Sequence, residues 1–394
     1  MFAFQICMAG IIATGGGLVI LTSYRNYVVY SVIACLCLSY TYFLLVRKKN
    51  MKLNSAEKAL LLFTIIGLLH VILSYLEVNR EFPKLDLYFD KSFIPRQASY
   101  YLVLPAIFLF QDKYYTRAKE YLISHYGEIL FWCLYAFELY YMGKVMAVSA
   151  NLLLGWLALK IKSTKWWRNW VRYAAVLLTP LTFDGTSTML IFRVVFVLII
   201  FTQSGWSRLA LRWMAIGLMI VLIVVSFIAP VVIKDTSFIS DYNAKWRLNY
   251  WTDEIQNLKN TYGLGVGYGT SYPSKAYAQK EDASFSAKDG YSQKERTFVL
   301  SCHNSFVSVA MRTGIFGITA LFLFVFLMLW EMLKHRVLAS KATFFALLGA
   351  VVLIAFNVGL ESPSYLFSFV FCLGECNQEV WRIRRESTII AAEG

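Results

Sequence analysis

The chain has 394 residues, of which 58% are hydrophobic and only 16% charged. A soluble domain of this length rarely carries so little charge, so the composition excludes an ordinary soluble class. The formal net charge of +14 would suit nucleic-acid binding, but the positive residues form short clusters between apolar blocks. That distribution is typical of membrane topology, and no nucleic-acid partner is expected.

The apolar residues occur in blocks that predict transmembrane helices. The blocks at 213–233, 315–333 and 342–358 are examples, and at 1.5 Å per residue each is long enough to cross about 30 Å of hydrocarbon. The sequence therefore predicts an all-α polytopic membrane protein with about 12 transmembrane helices. In chain order the predicted spans lie near 3–22, 28–46, 57–76, 98–111, 128–143, 145–160, 173–183, 188–203, 213–233, 314–333, 342–359 and 363–377.

Clusters of Lys and Arg predict the orientation of these spans. With twelve spans and both termini inside, every cluster lies on the cytoplasmic face, as the positive-inside rule requires. The N-terminus has no basic region, so the first span is expected to be retained rather than cleaved as a signal peptide. The clusters lie at 47–52, 113–119, 160–172, 208–212, 334–336 and 382–385.

This topology leaves two polar segments outside, at 77–97 and 234–300. The longer segment mixes charges of both signs with tyrosines and tryptophans, and linkers are poor in aromatic residues, so we expect a folded cap over the membrane. Within it, 241–260 has helical spacing, and the glycines that follow should end that helix. We divide the chain into 1–233 with nine spans, 234–313 with the cap and a candidate catalytic segment, and 314–394 with three spans and a cytoplasmic tail.

A glycine-rich stretch, GLGVGYGT at 263–270, lies in the cap. Its alternating glycines match neither a phosphate-binding P-loop nor GxGxxG. The tetrapeptide VGYG resembles a potassium selectivity filter, but a polar segment precedes it where a filter needs an apolar pore helix. The remaining interpretations are a turn with unusual backbone dihedrals and a bare backbone that a bulky substrate can approach closely.

His303 stands in the segment CHNSF at 302–306, where the cap meets the next span, and we expect this segment to open a short helix. A lone histidine is most often a structural hydrogen-bonding residue, and Cys302 is a poor partner because neighbouring residues on a helix point about 100° apart. No second His, Asp or Glu stands at metal-ligand spacing, so no metal site is expected. Flanked by Asn304 and Ser305, His303 is instead placed to accept a proton from a hydroxyl.

Four motifs follow one another along the chain: Arg-Leu-x-x-x-Trp at 247–251, GxGxG at 265–269, His-Asn-Ser-Phe at 303–306 and Gly-Ile-Phe-Gly at 314–317. Their order and their placement at the outer face resemble the O-antigen ligase and polymerase superfamily. The detailed resemblance covers roughly 180–335, and the twelve-span plan is similar over the rest. The resemblance implies a multi-pass protein of the bacterial inner membrane, with one large periplasmic loop or cap and an active site on the periplasmic side.

The resemblance also implies an activity, namely inverting, metal-independent glycosyl transfer without a cofactor. The donor would be a glycan on undecaprenyl diphosphate, and the acceptor would be a sugar hydroxyl. Arg247 takes the position of the family's loop arginine and is expected to bind the diphosphate, because a guanidinium fork matches phosphate geometry. His303 would be the base, or would orient the acceptor.

The family's other arginine normally follows a Ser/Thr-rich segment directly. This chain has Gly-Thr-Ser-Thr at 185–188, and Arg193 follows Thr188 by five residues. Arg193 is therefore either a second diphosphate contact, as expected of a charge inside a span, or an ion-pair partner of Asp184 or Glu361. The remaining candidates are Arg96 for the diphosphate and Asn304, Gly267 and Gly269 for the glycan.

The acceptor distinguishes the functions that remain. A polymerase joins two lipid-linked repeat units of O-antigen or capsular polysaccharide, with a chain-length regulator as a further partner. A ligase transfers the glycan to lipid A–core. We favour the polymerase. A lipid-linked oligosaccharide flippase is the alternative from another class, but a flippase needs no external cap and should place its charges around a central cavity.

Overall fold

The computed structural model of the protein describes residues 41, 53–78, 82–111, 113–140, 147–179, 186–201, 206–233, 235–237, 239–288, 291–334, 340–357 and 360–393. Within these residues the regular structure is helical, and the only extended pairings are two isolated bridges, Phe89 with Thr270 and Lys288 with Tyr291. The predicted all-α class is therefore confirmed for the described part of the chain.

The longer helices are numbered here in chain order. They are α1 (Ser55–Tyr75), α2 (Ile94–Leu102), α3 (Lys113–Tyr140), α4 (Ala147–Lys160), α5 (Trp166–Leu178), α6 (Thr186–Phe201), α7 (Trp206–Ile223), α8 (Tyr242–Asn260), α9 (Ser305–Lys334), α10 (Lys341–Phe356) and α11 (Pro363–Glu393). A π-helical segment, Val224–Ile228, and a short helix, Ala229–Val232, extend α7. A 3-10 segment, Leu104–Gln111, follows α2, and three short helices lie at Lys275–Lys280, Asp282–Phe285 and Gln293–Val299.

Several of these helices are suited to a membrane. Among the described residues, four helical stretches are long and apolar enough to cross one, namely Ser55–Tyr75, Lys91–Gln111, Trp213–Val232 and Ser305–Lys334. Shorter apolar helices lie at Val148–Lys160, Thr188–Phe201 and Lys341–Phe356. All of these coincide with predicted spans. The total of twelve stays a prediction, since the span at 3–22 and nearly all of 28–46 lie outside the described residues.

Helix α10 lies at the centre of the helical packing. Its residues from Ala342 to Ala355 are all buried, as expected for a helix that is apolar on every face and surrounded by others. It packs against α4, α6 and α11. Gly155 on α4 permits the close approach, because a Cβ there would lie 2.5 Å from the Phe345 ring. The apolar core therefore fixes the position of both ends of α10.

One end of the bundle, called the inner end here, is joined by polar contacts between α1, α9 and α11. Glu57 accepts hydrogen bonds from Gln111 Nε2 at 2.7 Å and from Trp381 Nε1 at 2.9 Å. Arg384 on α11 pairs with Glu331 at the end of α9 at 2.8 Å. Basic residues that the sequence assigns to the cytoplasmic face therefore meet acidic partners at this end, while the orientation itself stays a prediction.

The opposite, outer end carries the cap, residues 234–300. Helix α8 begins after Asp241, whose side chain accepts a hydrogen bond from the Ala244 amide at 2.6 Å, and ends before the glycine stretch. The helix predicted over 241–260 is thus confirmed. A second, smaller apolar core joins this unit to the start of α9; it is formed by Tyr250, Trp251, Ile255, Tyr272, Ala278, Phe285, Cys302 and Val307. Its placement in the periplasm stays a prediction.

Candidate active site

The segment 302–304 is a non-helical approach to α9. Asn304 caps the helix, since its Oδ1 accepts hydrogen bonds from the amides of Phe306 at 3.0 Å and Val307 at 3.2 Å. Its Nδ2 donates to Ser226 Oγ at 2.9 Å. The prediction that CHNSF opens a short helix is confirmed, because helical residues begin at Ser305 and the non-helical backbone of Gly314 forms a kink that separates 305–313 from the rest of α9. Asn304 is engaged in capping, and its contact with a glycan stays a prediction.

His303 has an uncommon backbone conformation for a residue other than glycine, with φ at 58°. Helix α8 holds this segment in place, because Trp251 Nε1 donates to the Cys302 carbonyl at 2.7 Å. The Trp246 ring also meets the imidazole edge to face, with centroids 5.6 Å apart. Left-handed residues that their surroundings hold in this way are concentrated at functional sites.

The electrostatic surroundings of His303 keep its imidazole neutral. Part of the ring surface is accessible, but protein atoms surround the ring, and this desolvation together with the Arg247 cation lowers its pKa from 6.5 to about 3. Burial disfavours the charged imidazolium, and a nearby positive charge disfavours it further. The ring therefore has a nitrogen available as an acceptor at neutral pH, and it is a weak base in this environment.

Arg247 lies on α8 and reaches the outer end of α10. Its Nη1 donates to the Phe356 carbonyl at 3.5 Å, and the residue is half-buried. Its charge acts on His303. The two residues come from separate sequence motifs, and the structure brings them together where the cap meets α9 and α10.

Asn357 at the end of α10 and Glu361 just before α11 form a wall of the site that the sequence did not reveal. Ser305 Oγ and the Tyr101 hydroxyl each donate to Glu361 at 2.7 Å. Asn357 Nδ2 donates to Thr188 Oγ1 on α6 at 2.8 Å. Burial raises the pKa of Glu361. The sequence signal for this wall is a carboxyl that stands between two apolar blocks. The sequence interpretation used Glu361 only as an ion-pair partner for Arg193.

A second buried carboxyl, Glu254, lies on α8 below His303. Its Oε2 accepts from Cys302 Sγ and Ser308 Oγ, each at 3.3 Å, and Oε1 is buried without a hydrogen-bond partner. Burial raises the pKa of Glu254 to about 8, so the carboxyl is largely protonated at pH 7. Glu254 is seven residues after Arg247, two turns along the same face of α8.

Arg312 is a fully buried cation on α9 that the sequence did not single out. Its guanidinium lies 4.1 Å from the centre of the Tyr272 ring, and Nη1 donates to the Gly267 carbonyl at 3.1 Å and to Thr270 Oγ1. Its Nε and Nη2 are buried without hydrogen-bond partners. Arg312 forms a polar stripe of helical spacing with Ser305 and Ser308. A polar stripe at the start of an apolar helix was the sequence signal that could have identified Arg312.

The glycine stretch is joined to α9 through its backbone. Amides of Val266 and Gly267 donate to the carbonyls of Met311 and Arg312 at 2.7 and 3.0 Å. Gly265 approaches Gly314 so closely that a Cβ on it would lie 2.5 Å from the Gly314 nitrogen. The interpretation as a turn with unusual dihedrals is confirmed, since Gly263, Gly265, Gly267 and Gly269 all have positive φ.

Contact of Gly267 and Gly269 with the glycan stays a prediction, which the local structure does not favour. Both residues are buried. The Gly267 amide and carbonyl both bond to Arg312, and the Gly269 amide donates to Gln97 Oε1 at 2.8 Å. These bonds engage the backbone groups that a sugar would need.

Arg193 lies inside α6, as predicted, but away from the Arg247–His303 pair. Thr188 on the same helix faces Asn357, and five residues further along an α-helix the direction has turned by about 140°. The charged neighbour of Arg193 is Glu138 on α3. Among the described residues, Glu361 bonds to Tyr101 and Ser305 and not to Arg193, while Asp184 lies outside them.

Arg96 lies on α2 at the edge of the cap. Its Nη1 donates to the Tyr291 hydroxyl at 2.7 Å, and its guanidinium lies 5.5 Å from the centre of that ring. The structure thus places Arg96 against the far side of the cap segment, and its contact with diphosphate stays a prediction. Among the described residues, no group of three or more His, Cys, Asp or Glu is arranged to hold a metal ion.

These features define a class, a protein of membrane-suited apolar helices in which an aromatic cap places an arginine and a neutral histidine at the helix ends. Residues 173–322 match the family model described as O-antigen ligase, which confirms the resemblance to the O-antigen ligase and polymerase superfamily. Members are glycosyltransferase-like enzymes of surface-polysaccharide synthesis. The match includes Arg193, Arg247 and His303, and no curated protein matches the chain.

Proposed function

We propose that the protein transfers a glycan from undecaprenyl diphosphate to a sugar hydroxyl at the periplasmic face of the bacterial inner membrane, as a polymerase of O-antigen or capsular polysaccharide. The observation that supports this most is the meeting of Arg247 and His303 where the cap adjoins the ends of α9 and α10. A lipid-linked diphosphate lies at the membrane surface because its tail is in the hydrocarbon. At that level a cation suits the diphosphate leaving group, and a neutral imidazole suits the attacking hydroxyl.

In the proposed reaction, the acceptor oxygen forms a bond to the anomeric carbon while the bond from that carbon to the diphosphate oxygen breaks. Attack on the face opposite the leaving group inverts the anomeric configuration. The diphosphate leaves with the electron pair of the broken bond, and Arg247 stabilises its developing charge. The hydroxyl proton passes to the imidazole of His303.

The donor itself would adjust His303 for this role. With a pKa of about 3 the imidazole is neutral but weakly basic, and proton transfer is most effective when the pKa lies near the working pH. Burial is the larger cause of this low pKa and the Arg247 cation the smaller one, and a bound diphosphate places negative charge beside Arg247 and so offsets the second cause. In the lesser role, His303 orients the acceptor hydroxyl by accepting its hydrogen bond.

The ligase is the second candidate function. A ligase and a polymerase break the same donor bond, so the Arg247–His303 pair serves either, and the matched family model is described as O-antigen ligase. The polymerase would take a second lipid-linked repeat unit and work with a chain-length regulator. The ligase would take lipid A–core. Supplying purified protein with each acceptor separately distinguishes them.

The catalytic assignment is tested with His303→Ala. We expect this variant to insert normally and to lose about 10²-fold or more of its transfer rate, in keeping with the loss of a general base. Purified protein with a lipid-linked donor, read on a gel for chain length, measures the rate. His125→Ala is the matched control, because His125 lies exposed on α3 and stacks on Tyr121.

Two outcomes would contradict the assignment. Full activity of the alanine variant would remove His303 from the reaction. Low abundance of His303→Ala, with normal activity in His303→Gln, would show that the residue is a structural hydrogen-bonding group. Activity is also expected to be unchanged by a metal chelator or by added divalent metal, as the family resemblance implies.

A further inference from the structure

The turn that follows α8 exposes two apolar side chains. Tyr262 is 86% exposed and Leu264 is 50% exposed, and both belong to the turn 261–265. Tyr262 has a left-handed backbone, with φ at 53°. Single exposed apolar side chains are common on proteins, but those that continue a larger apolar patch indicate a membrane or protein partner.

This turn lies below the outer end of a membrane-spanning helix. The Ile315 amide donates to the Gly263 carbonyl at 2.9 Å, which places the turn beside the Gly314 kink of α9. At the same level the His70 ring on α1 lies beside the backbone of Thr313. His70 comes five residues before the end of α1 at Tyr75, so the turn lies roughly 7 Å inside that end, measured along the helix axis.

The apolar surface of α1 continues past the level of the turn. Ile72, Tyr75 and Leu76 are all exposed, as residues facing lipid are expected to be in a helix that crosses a membrane. On α9, Ile315 and Phe316 are also exposed. They lie directly beside the turn, because the Ile315 amide donates to the Gly263 carbonyl. The side chains of the turn therefore continue a lipid-facing surface that two spanning helices already form.

The backbone of the turn is suited to an apolar environment. Non-helical backbone is tolerated at membrane depth only where its polar groups find partners within the protein. The Gly263 amide donates to Leu258, the Leu264 amide donates to Thr261, and the Gly265 amide donates to Thr261 Oγ1. The Gly263 carbonyl accepts from Ile315.

We propose that the turn 261–265 inserts into the outer leaflet of the membrane, with Tyr262 and Leu264 in contact with lipid acyl chains. The partner of this surface is the lipid bilayer rather than a second protein. The cap is then anchored at two points, through its hydrogen bonds to α9 and through lipid. This anchor fixes the depth of α8, and with it the height of Arg247 above the hydrocarbon.

Cysteine accessibility tests the insertion, with a matched pair at the two ends of α8. The substitution Tyr262→Cys lies just after the helix, and Tyr242→Cys lies at its first residue, where the tyrosine is 66% exposed. The full-length protein in lipid nanodiscs is treated with a membrane-impermeant maleimide, and the parent chain measured in parallel gives the contribution of the native cysteines. Labelling after denaturation in SDS gives the total thiol in each variant.

We expect Tyr262→Cys to react at least about tenfold more slowly than Tyr242→Cys in nanodiscs, because maleimides react with the thiolate and hydrocarbon suppresses thiol ionisation. Equal labelling rates would overturn the proposal and place the turn in water. A fluorophore attached to the new thiol of Tyr262→Cys should in addition be quenched by phospholipids that carry a nitroxide on the acyl chain, whereas one attached in Tyr242→Cys should not. Protection of the thiol in Tyr262→Cys without lipid quenching would mean that protein covers the turn, and would also overturn the proposal.

Discussion

Both ends of the helical bundle bury carboxyl groups, and they stabilise them in different ways. At the inner end two buried acids form ion pairs, while a third, Glu57, accepts hydrogen bonds from Gln111 and Trp381. Glu375 pairs with Lys119 at 2.6 Å, and Glu379 pairs with Arg382 at 2.9 Å. The pairing with Arg382 lowers the pKa of Glu379 against the effect of burial.

At the outer end the acids accept hydrogen bonds from neutral groups. Glu254 accepts from Cys302 and Ser308, and its pKa rises to about 8 because burial outweighs the opposing effects of the Cys302 hydrogen bond and of the Arg312 charge. The inner end thus joins its helices through ion pairs, whereas the outer end holds a largely protonated carboxyl in hydrogen bonds from neutral groups.

Labelling from the two sides of the membrane gives the largest contrast between the ends. A cysteine at Ser284 in the cap should react with an impermeant thiol reagent in whole cells with a permeabilised outer membrane. A cysteine at Ser163, between α4 and α5, should react only after lysis of the inner membrane. The reverse pattern would invert the orientation and rule out a periplasmic reaction.

Arginine-to-lysine changes at the two ends should differ by a large factor in activity. Arg247→Lys keeps the charge but loses the planar fork, so we expect at least about a tenfold loss of transfer at normal abundance. Arg382→Lys at the inner end keeps one contact with Glu379 and should retain the parent rate. Measurement uses the donor assay with abundance determined on the same samples. Wild-type glycan from Arg247→Lys would show that the diphosphate site is misplaced.

Arg312 should act as a positioning residue, with a smaller effect. Arg312→Met removes its bonds to Gly267 and Thr270, which should displace the glycine stretch and lower kcat about tenfold while the KM for donor stays within about twofold. Arg312→Lys, which can keep one of these bonds, should recover part of the rate. A purely structural role would lower abundance and leave the rate per folded molecule unchanged.

The smallest expected difference between the two ends is in the pH dependence of stability. The pKa of Glu254 rises from 4.5 to about 8, so the folded state holds a proton that the unfolded state releases. Its contribution to stability is therefore full below pH 4.5 and is lost as pH rises toward 8, at up to about 1.4 kcal/mol per pH unit. Glu254→Gln should flatten the fall in melting temperature between pH 5 and pH 8.

Glu379 should show the opposite sign. Its pKa is lowered in the folded protein, so its contribution is present above the unfolded value and is lost as pH falls through the folded one. Glu379→Gln should lower the melting temperature at pH 7 and have less effect in acid. Thermal unfolding in one detergent across the pH range measures both variants. Parallel pH profiles for parent and Glu254→Gln would contradict the contrast between the ends.

Periodicity and motif order predicted much of this structure because they reflect local requirements. The helix over 241–260, its end at the glycines and the spans such as 57–76 follow from side-chain spacing and from hydrogen bonding within one segment. The pairing of Arg247 with His303 followed from resemblance. These features need little knowledge of which helices are neighbours.

The rest of the site depends on contacts between segments far apart in the chain. Glu361 meets Tyr101 across 260 residues, and Gln97 meets the Gly269 amide across 172. No local pattern indicates such partners. Arg193 shows the same limit, since its place inside α6 was predicted while the direction of its side chain depends on how α6 packs.

Gly314 has a non-helical backbone, with φ 68° and ψ −171°, inside a helix of 30 residues. Its neighbours Met311, Arg312 and Ile315 bond to the glycine stretch, so the first turns of α9 move with the cap and the remaining turns move with the membrane bundle. Chimeric proteins that exchange part of the cap should therefore take both junctions within 270–300, which leaves the glycine stretch and the start of α9 in one parent. Junctions at 234 and 313 would instead place the bond from the Ile315 amide to the Gly263 carbonyl across a junction, beside the Gly314 kink.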